Sequence, residues 1–61
     1  MKIIFETAVD LGNGWIANVT AYDDGDINLD LDSRSDGILT AAAATRLAIA
    51  LAAATHAATA D

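Results

Sequence analysis

Hydrophobic and polar residues alternate over two stretches of the chain, which is the pattern of strands with one buried face. From Lys2 to Leu11 the odd-numbered positions form the more apolar face, and from Ile27 to Asp32 three aliphatic residues alternate strictly with polar ones. Trp15 to Tyr22 carries large apolar residues on both faces, as expected for a central strand whose outer face is partly covered. The pattern predicts three strands, at about residues 2–11, 15–22 and 27–32.

Two short segments rich in glycine and aspartate separate these strands. Gly12-Asn13-Gly14 supplies residues that accept positive φ, as tight hairpin turns require. Asp23 to Asp26 combines aspartates, which form local hydrogen bonds in turns, with Gly25. We therefore expect the strands to form an antiparallel meander.

The last third of the chain predicts one long helix, from about residue 40 to residue 59. Between Ala41 and Ala60, 12 of the 20 residues are alanine, which has the best intrinsic helix propensity, and neither glycine nor proline interrupts them. Thr40 is the expected N-cap. At about 100° per residue, Leu47 and Leu51 share one face with a set of alanines, and this face is expected to pack on the sheet.

The predicted order β-β-β-α places the chain in the α+β class, with a three-stranded sheet and one C-terminal helix on one face. We expect residues 1–61 to form a single domain. A domain of this size buries only about 60% of the surface that its unfolded chain exposes, so a monomer should be marginally stable. The chain has no cysteine for disulfides or thiolate metal sites, which leaves association with a second copy as the simplest support. We therefore expect a homodimer.

Two surfaces are candidates for the contact between copies. Ile49 lies at the edge of the polar arc of the helix, where a β-branched apolar residue suggests a contact, and the neighbouring alanines would let two helices approach closely. Alternatively, the edge of the first strand pairs with its copy, because few charged residues guard it.

The outer face of the sheet is a candidate surface for a different protein. If Trp15 faces the helix, alternation places Tyr22 on the outer face with Ile4 and Ile16, among acidic residues. An apolar patch with an acidic rim is a reasonable protein-binding surface. Together with the two surfaces above, the candidate interface residues are Ile3, Ile4, Phe5, Ile16, Tyr22, Ile49, Ala53 and His56.

The charge balance narrows the classes of partner. Three Lys+Arg against nine Asp+Glu give a net charge of -6, so direct binding to nucleic acid or an anionic membrane is not expected. A membrane span is also not expected, since alanine barely favours the bilayer and Arg46 and His56 would lie inside it. Lys2 is followed by only three apolar residues before Glu6, too few for a signal peptide. We therefore expect a cytoplasmic protein.

Aspartates form a candidate acidic surface. Their spacing does not match a calcium-binding loop: with Asp32 as the first ligand, Arg34 occupies the third position and the bidentate glutamate is missing. No metal is therefore predicted. In phosphate-like rows these acids would instead mimic a nucleic acid and block a DNA- or RNA-binding protein, which is an alternative function. They are Asp10, Asp23, Asp24, Asp26, Asp30 and Asp32.

The sequence predicts no catalytic residues and no cofactor. His56 is the only histidine, and nothing in the sequence places it near Ser33, Ser35 and Asp36. A meander of this size also has little room for a pocket of the usual volume. We expect that the protein is not an enzyme, and a hydrolase is the least favoured alternative.

The whole chain resembles small β-β-β-α proteins encoded by actinobacteria and their phages. The resemblance rests on the hairpin around GNGW, the acidic strand INLDLD, and the ending LTAAAATRLAIALAAATHAA, which is similar to LTxxEAxxLAxALxxAA in that group. Here Ala43 or Ala44 stands where many members have Glu. The resemblance implies a small accessory protein, often without assigned activity, and supplies no site residues.

A second similarity is to HicB-type antitoxins. The segment GNGWIANV of this chain resembles their hairpin. Their proline-containing segment after the second strand has no counterpart, because this chain has no proline. We expect a non-catalytic, acidic protein-interaction module, a phage or bacterial accessory or inhibitor protein acting as a homodimer. A nucleic-acid mimic and a HicB-like antitoxin are the alternatives.

Overall fold

The computed structural model describes residues 1–12, 14–31 and 38–59. Three strands, β1 (Ile3–Gly12), β2 (Trp15–Tyr22) and β3 (Ile27–Leu31), precede one helix, α1 (Ala41–Thr59). The predicted βββα order and α+β class are confirmed. Each described end of an element lies within one residue of its predicted position, and Asp32, predicted to end the third strand, lies outside the described residues.

The sheet is an antiparallel meander in the order β1-β2-β3. Val19 in the central strand lies opposite Thr7 of β1 and Leu29 of β3. The turn between β2 and β3 is closed by the backbone N–H of Gly25, which donates to the carbonyl of Tyr22 at 3.1 Å. Gly25 has a φ of 93°, a conformation that residues with a Cβ rarely adopt.

Two register shifts interrupt the pairing of β1 with β2, between Ile3 and Phe5 and between Asp10 and Gly12. The first shift pairs Ile3 with Tyr22, whereas Phe5 pairs with Ala21. Strict alternation predicted that Ile3 shares the core face with Phe5. The extra residue of the bulge instead puts Ile3 on the face of Tyr22, where it is 50% exposed.

The core lies between α1 and the first two strands. Helix α1 packs mainly against β1 and β2 and only slightly against β3. Trp15 and Phe5, both half-buried, pack against this core, as do Leu47 and Leu51. The centre of the helix interface is therefore formed by alanines, and the two leucines predicted to anchor it lie at its margin. The buried apolar residues are Val9, Leu11, Ala17, Val19, Ala21, Ala43, Ala50 and Ala54.

Thr40 caps the helix as predicted. Its Oγ1 accepts a hydrogen bond from the backbone N–H of Ala43 at 3.1 Å, and its carbonyl accepts one from Ala44 at 2.9 Å. The side chain thus satisfies one of the N–H groups that have no partner within the first turn of a helix.

The cap gives a stability prediction. Thr40→Ala should lower the free energy of unfolding by about 1 kcal/mol, or about 4–8 °C in the melting temperature of a domain this small. Thr45→Ala is the matched control, because the Thr45 hydroxyl only donates back to the carbonyl of Ala41, and it should change stability by less than about 0.5 kcal/mol. Thermal melts followed by circular dichroism test the pair, and equal shifts for the two variants would contradict the role of the cap.

Candidate interaction surfaces

The outer face of the sheet, opposite α1, is largely polar along its middle. In β2, Asn18 and Thr20 lie between Ile16 and Tyr22. Asn18 lies opposite Asp30 of β3, and Thr20 lies opposite Glu6 of β1. Ile16 and Tyr22 are therefore separated by about 20 Å of strand, and the structure does not bring them into the single apolar patch that alternation suggested.

Exposed apolar residues instead gather at one end of the sheet, where the start of β1 lies beside the β2–β3 turn. Ile3 and Ile4 are 50% and 44% exposed, and the bulge places both beside Tyr22. Ile27 follows the turn and Met1 precedes the strand. We call this surface the turn-end patch; it comprises Met1, Ile3, Ile4 and Tyr22, with Ile27 at its edge because Ile27 lies on the helix side of β3, and with Asp23, Asp24 and Asp26 in the adjacent turn.

An open depression of about 380 Å³ lies within the turn-end patch. The N-terminal segment that forms one wall is held in place by the turn, because the backbone N–H of Lys2 donates to Oδ1 of Asp23 at 3.0 Å and its carbonyl accepts from the N–H of Asp23 at 2.8 Å. The N-terminal segment is therefore fixed to the turn by two hydrogen bonds between Lys2 and Asp23. It is lined by Met1, Tyr22, Asp26, Ile27 and Asn28.

The candidate acidic residues form two groups. Asp23, Asp24 and Asp26 lie in the β2–β3 turn, whereas Asp10 and Asp30 lie on the outer face toward the other end of the sheet. Asp32 lies outside the described residues. The acids thus do not form one continuous row over the part of the chain that the structure describes.

Some of these carboxylates have a local structural role. Oδ1 of Asp10 accepts from the N–H of Gly12 at 2.8 Å, and Oδ1 of Asp24 accepts from the N–H of Asp26 at 3.1 Å. Side-chain hydrogen bonds of this kind stabilise turns and strand ends. Part of the acidic composition is therefore explained by the fold.

The helix carries an exposed stripe along its β1 side. Arg46 marks this side, because its Nη1 donates to the carbonyl of Asp10 in β1 at 3.2 Å. Ile49, Ala53 and His56 continue the stripe at helical spacing and are exposed. Ile49, Ala53 and His56, all predicted interface residues, therefore lie together on the helix and away from Ile3, Ile4 and Tyr22. Phe5, also predicted for the interface, is half-buried against the core.

The helix-side face of β3 was predicted to be buried but is largely uncovered. Ile27 is 36% exposed, and Leu29 and Leu31 are each 42% exposed, because α1 lies over β1 and β2. These three residues and Met1 were missed as surface candidates. A signal for them existed, since one helix about 10 Å wide covers only about two strands spaced 4.8 Å apart.

The described residues contain no group of three or more His, Cys, Asp or Glu side chains placed to hold a metal ion. His56 is exposed on α1. Ser33, Ser35 and Asp36 lie outside the described residues, so their distance from His56 is not part of the structure.

One helix, Ala41–Thr59, is long and apolar enough to cross a membrane by length and composition alone. The core helix of a soluble protein passes the same test, although most of this helix is exposed in the single chain. Thr45, Thr55 and Thr59 turn their hydroxyls to carbonyls of the preceding turn, which makes the exposed surface of the helix less polar than its sequence suggests.

Comparison of the chain with protein-family models, with curated proteins and with solved structures finds no match.

Proposed function

We propose that the protein is a non-catalytic interaction module, an accessory or inhibitor protein of a phage or bacterium that acts in the cytoplasm as a homodimer. In this proposal it binds a partner protein through the turn-end patch. The observation that supports the proposal is a set of exposed apolar side chains beside a depression that Asp26 lines, with Asp23 and Asp24 in the same turn.

The chemistry of the turn-end patch defines the kind of partner it suits. Interfaces draw most of their energy from a few apolar or aromatic anchors in desolvated pockets, surrounded by a polar rim. Here the open depression beside Tyr22, which Asp26 and Asn28 also line, would receive one side chain of the partner. The aspartates of the turn would favour lysine or arginine around that anchor and would steer its approach. The partner is therefore expected to present an apolar residue within a basic surface.

The alternative function as a nucleic-acid mimic has less support. A mimic needs carboxylates in extended rows that match the spacing of phosphates, and the described acids fall into two groups with part of them bonded to the backbone. Binding by a mimic would depend almost entirely on charge. Ionic strength therefore separates the two functions.

Affinity capture from bacterial lysate at low and high salt tests the proposal. Immobilised wild type should retain a protein at both salts, although steering by the aspartates should weaken with salt. Ile4→Glu, which places a charge in the turn-end patch, should reduce retention at least tenfold. Ile49→Glu is the matched control, since Ile49 is an equally apolar exposed residue on the helix, and it should retain the same protein.

Three results would contradict the proposal. Capture that vanishes at high salt would indicate the mimic, and equal capture by Ile4→Glu would remove the turn-end patch from the interface. Association of the chain with phospholipid vesicles in a flotation assay, with no protein captured, would assign the exposed helix to a membrane instead. Circular dichroism of each variant checks that the fold is retained.

A further inference from the structure

Strand β3 is an edge strand whose outward backbone groups have no neighbouring strand among the described residues. Its pairing with β2 runs residue for residue, from Ala21 opposite Ile27 to Ala17 opposite Leu31. All five residues of β3 are exposed. An exposed, alternating edge without a bulge can pair with another strand, and its acidic residues restrict which strand fits.

The opposite edge of the sheet is protected. β1 contains two register shifts, and bulges twist an edge and interrupt its ladder. Arg46 reaches over β1 to the carbonyl of Asp10, and the backbone of Lys2 is already hydrogen-bonded to Asp23. Of the two edges, β3 is the better one for pairing with another chain.

We propose that β3 pairs antiparallel with β3 of a second copy of this chain, with the two-fold axis at Leu29. Leu29 then faces its own copy, Ile27 faces Leu31, and Asn28 faces Asp30. Two three-stranded sheets would join into one continuous sheet of six strands. This inference rests on the homodimer of the proposed function and names the surface that forms it.

The side chains of β3 are complementary to themselves in this register. On the helix side, which α1 leaves uncovered, the aliphatic residues would meet in three apolar cross-strand pairs. On the outer side each Asp30 would face an amide rather than another carboxylate. Moving the axis by one residue to Asp30 would put Asp30 opposite its own copy, so like charges disfavour that register.

Cysteine cross-linking tests the surface, because the chain has no cysteine of its own. Three single variants each replace one exposed apolar residue: Leu29→Cys on β3, Ile4→Cys on the β1 side and Ile49→Cys on the helix. Residues on the two-fold axis of an antiparallel pair lie close enough for a disulfide. Under mild oxidation, Leu29→Cys should form a covalent dimer at least tenfold faster than the other two.

Charge changes at Asn28 provide a second test that does not alter the apolar face. Asn28→Asp creates two like-charge pairs with Asp30 across the dimer and should raise its Kd between about 2-fold and 30-fold, whereas Asn28→Lys should lower it by a similar factor. Ala8→Asp adds the same charge on β1, more than a screening length from the acidic residues of the second copy's β3. It should therefore leave the Kd nearly unchanged. Sedimentation equilibrium measures all three, and the wild-type dimer should tighten with salt because each copy carries a net charge of -6.

The outcomes separate this inference from the proposed function. Faster cross-linking of Ile4→Cys or Ile49→Cys, the same shift in Kd for Asn28→Asp and Asn28→Lys, or a wild-type chain that stays monomeric at millimolar concentration would overturn the pairing of β3. A monomer that still captures its partner through the turn-end patch would leave partner binding standing. A dimer that forms as described but captures no protein would refute partner binding and leave the β3 pairing intact.

Discussion

Leu11→Ala is expected to lower the free energy of unfolding by about 2–5 kcal/mol. Leu11 is 5% exposed and is the largest aliphatic side chain in a buried core that otherwise contains only valine and alanine. A domain of 61 residues has a total stability of only about 3–9 kcal/mol. The substitution should therefore leave much of the protein unfolded at 37 °C.

Urea denaturation followed by circular dichroism measures this loss, at one low protein concentration because association would add to the apparent stability. Ile49→Ala is the control, since Ile49 is 66% exposed and its loss creates no cavity in the single chain. We expect it to change stability by less than about 0.5 kcal/mol. If Leu11→Ala cost no more than Ile49→Ala, the core would not lie where the structure places it.

Ala54→Leu should also destabilise the protein, by about 1–3 kcal/mol or more, although leucine is a good helix former and is more hydrophobic. Ala54 is fully buried, and the sheet residues Ala17, Val19 and Ala21 are fully buried as well. The small side chains on both sides leave no space for a larger one unless the helix moves away from the sheet.

The matched control is Ala53→Leu, which makes the same substitution one position earlier, at an exposed residue. Its stability should stay within about 0.5 kcal/mol of wild type. Comparing the urea midpoints of the two variants separates the effect of core packing on stability from the effect of helix propensity. A stabilised Ala54→Leu would show that the helix is not closely packed on the sheet.

Alanine has a specific role in this fold. In α1 the buried positions Ala43, Ala50 and Ala54 set the distance between helix and sheet, while the alanines on the other faces add helix propensity and little else. Such a narrow interface buries few large side chains. That shortage explains why a second copy along β3 would add substantially to the stability of the chain.

The interaction surfaces could be predicted only in part. His56, Ile49 and Ala53 follow from helical periodicity, and the structure places them on one exposed stripe. Alternation already placed Ile4 on the face of Tyr22, but the addition of Ile3 depends on a bulge, which alternation cannot reveal because the extra residue changes the face of the residues before it. Ile16 was assigned to the same patch because a shared face was inferred without regard to the distance along the strand, which separates Ile16 from Tyr22 by about 20 Å.

By itself, the sequence determined the elements. Strand alternation, the turn residues around Gly25, the run of alanines and the cap at Thr40 act between neighbours within a few residues, so they can be read before any tertiary contact is known. Thr40 and Ala43 are hydrogen-bonded as that reading expected.

Only the tertiary structure decided which strands the helix covers. Every strand presents apolar residues on the helix side, and one helix is too narrow to cover all of them. The close packing of alanines places α1 over β1 and β2, with Arg46 reaching the carbonyl of Asp10, and leaves Leu29 and its neighbours on β3 exposed. That choice depends on contacts between residues far apart in the chain, and it leaves uncovered the face of the edge strand through which we expect two copies to join.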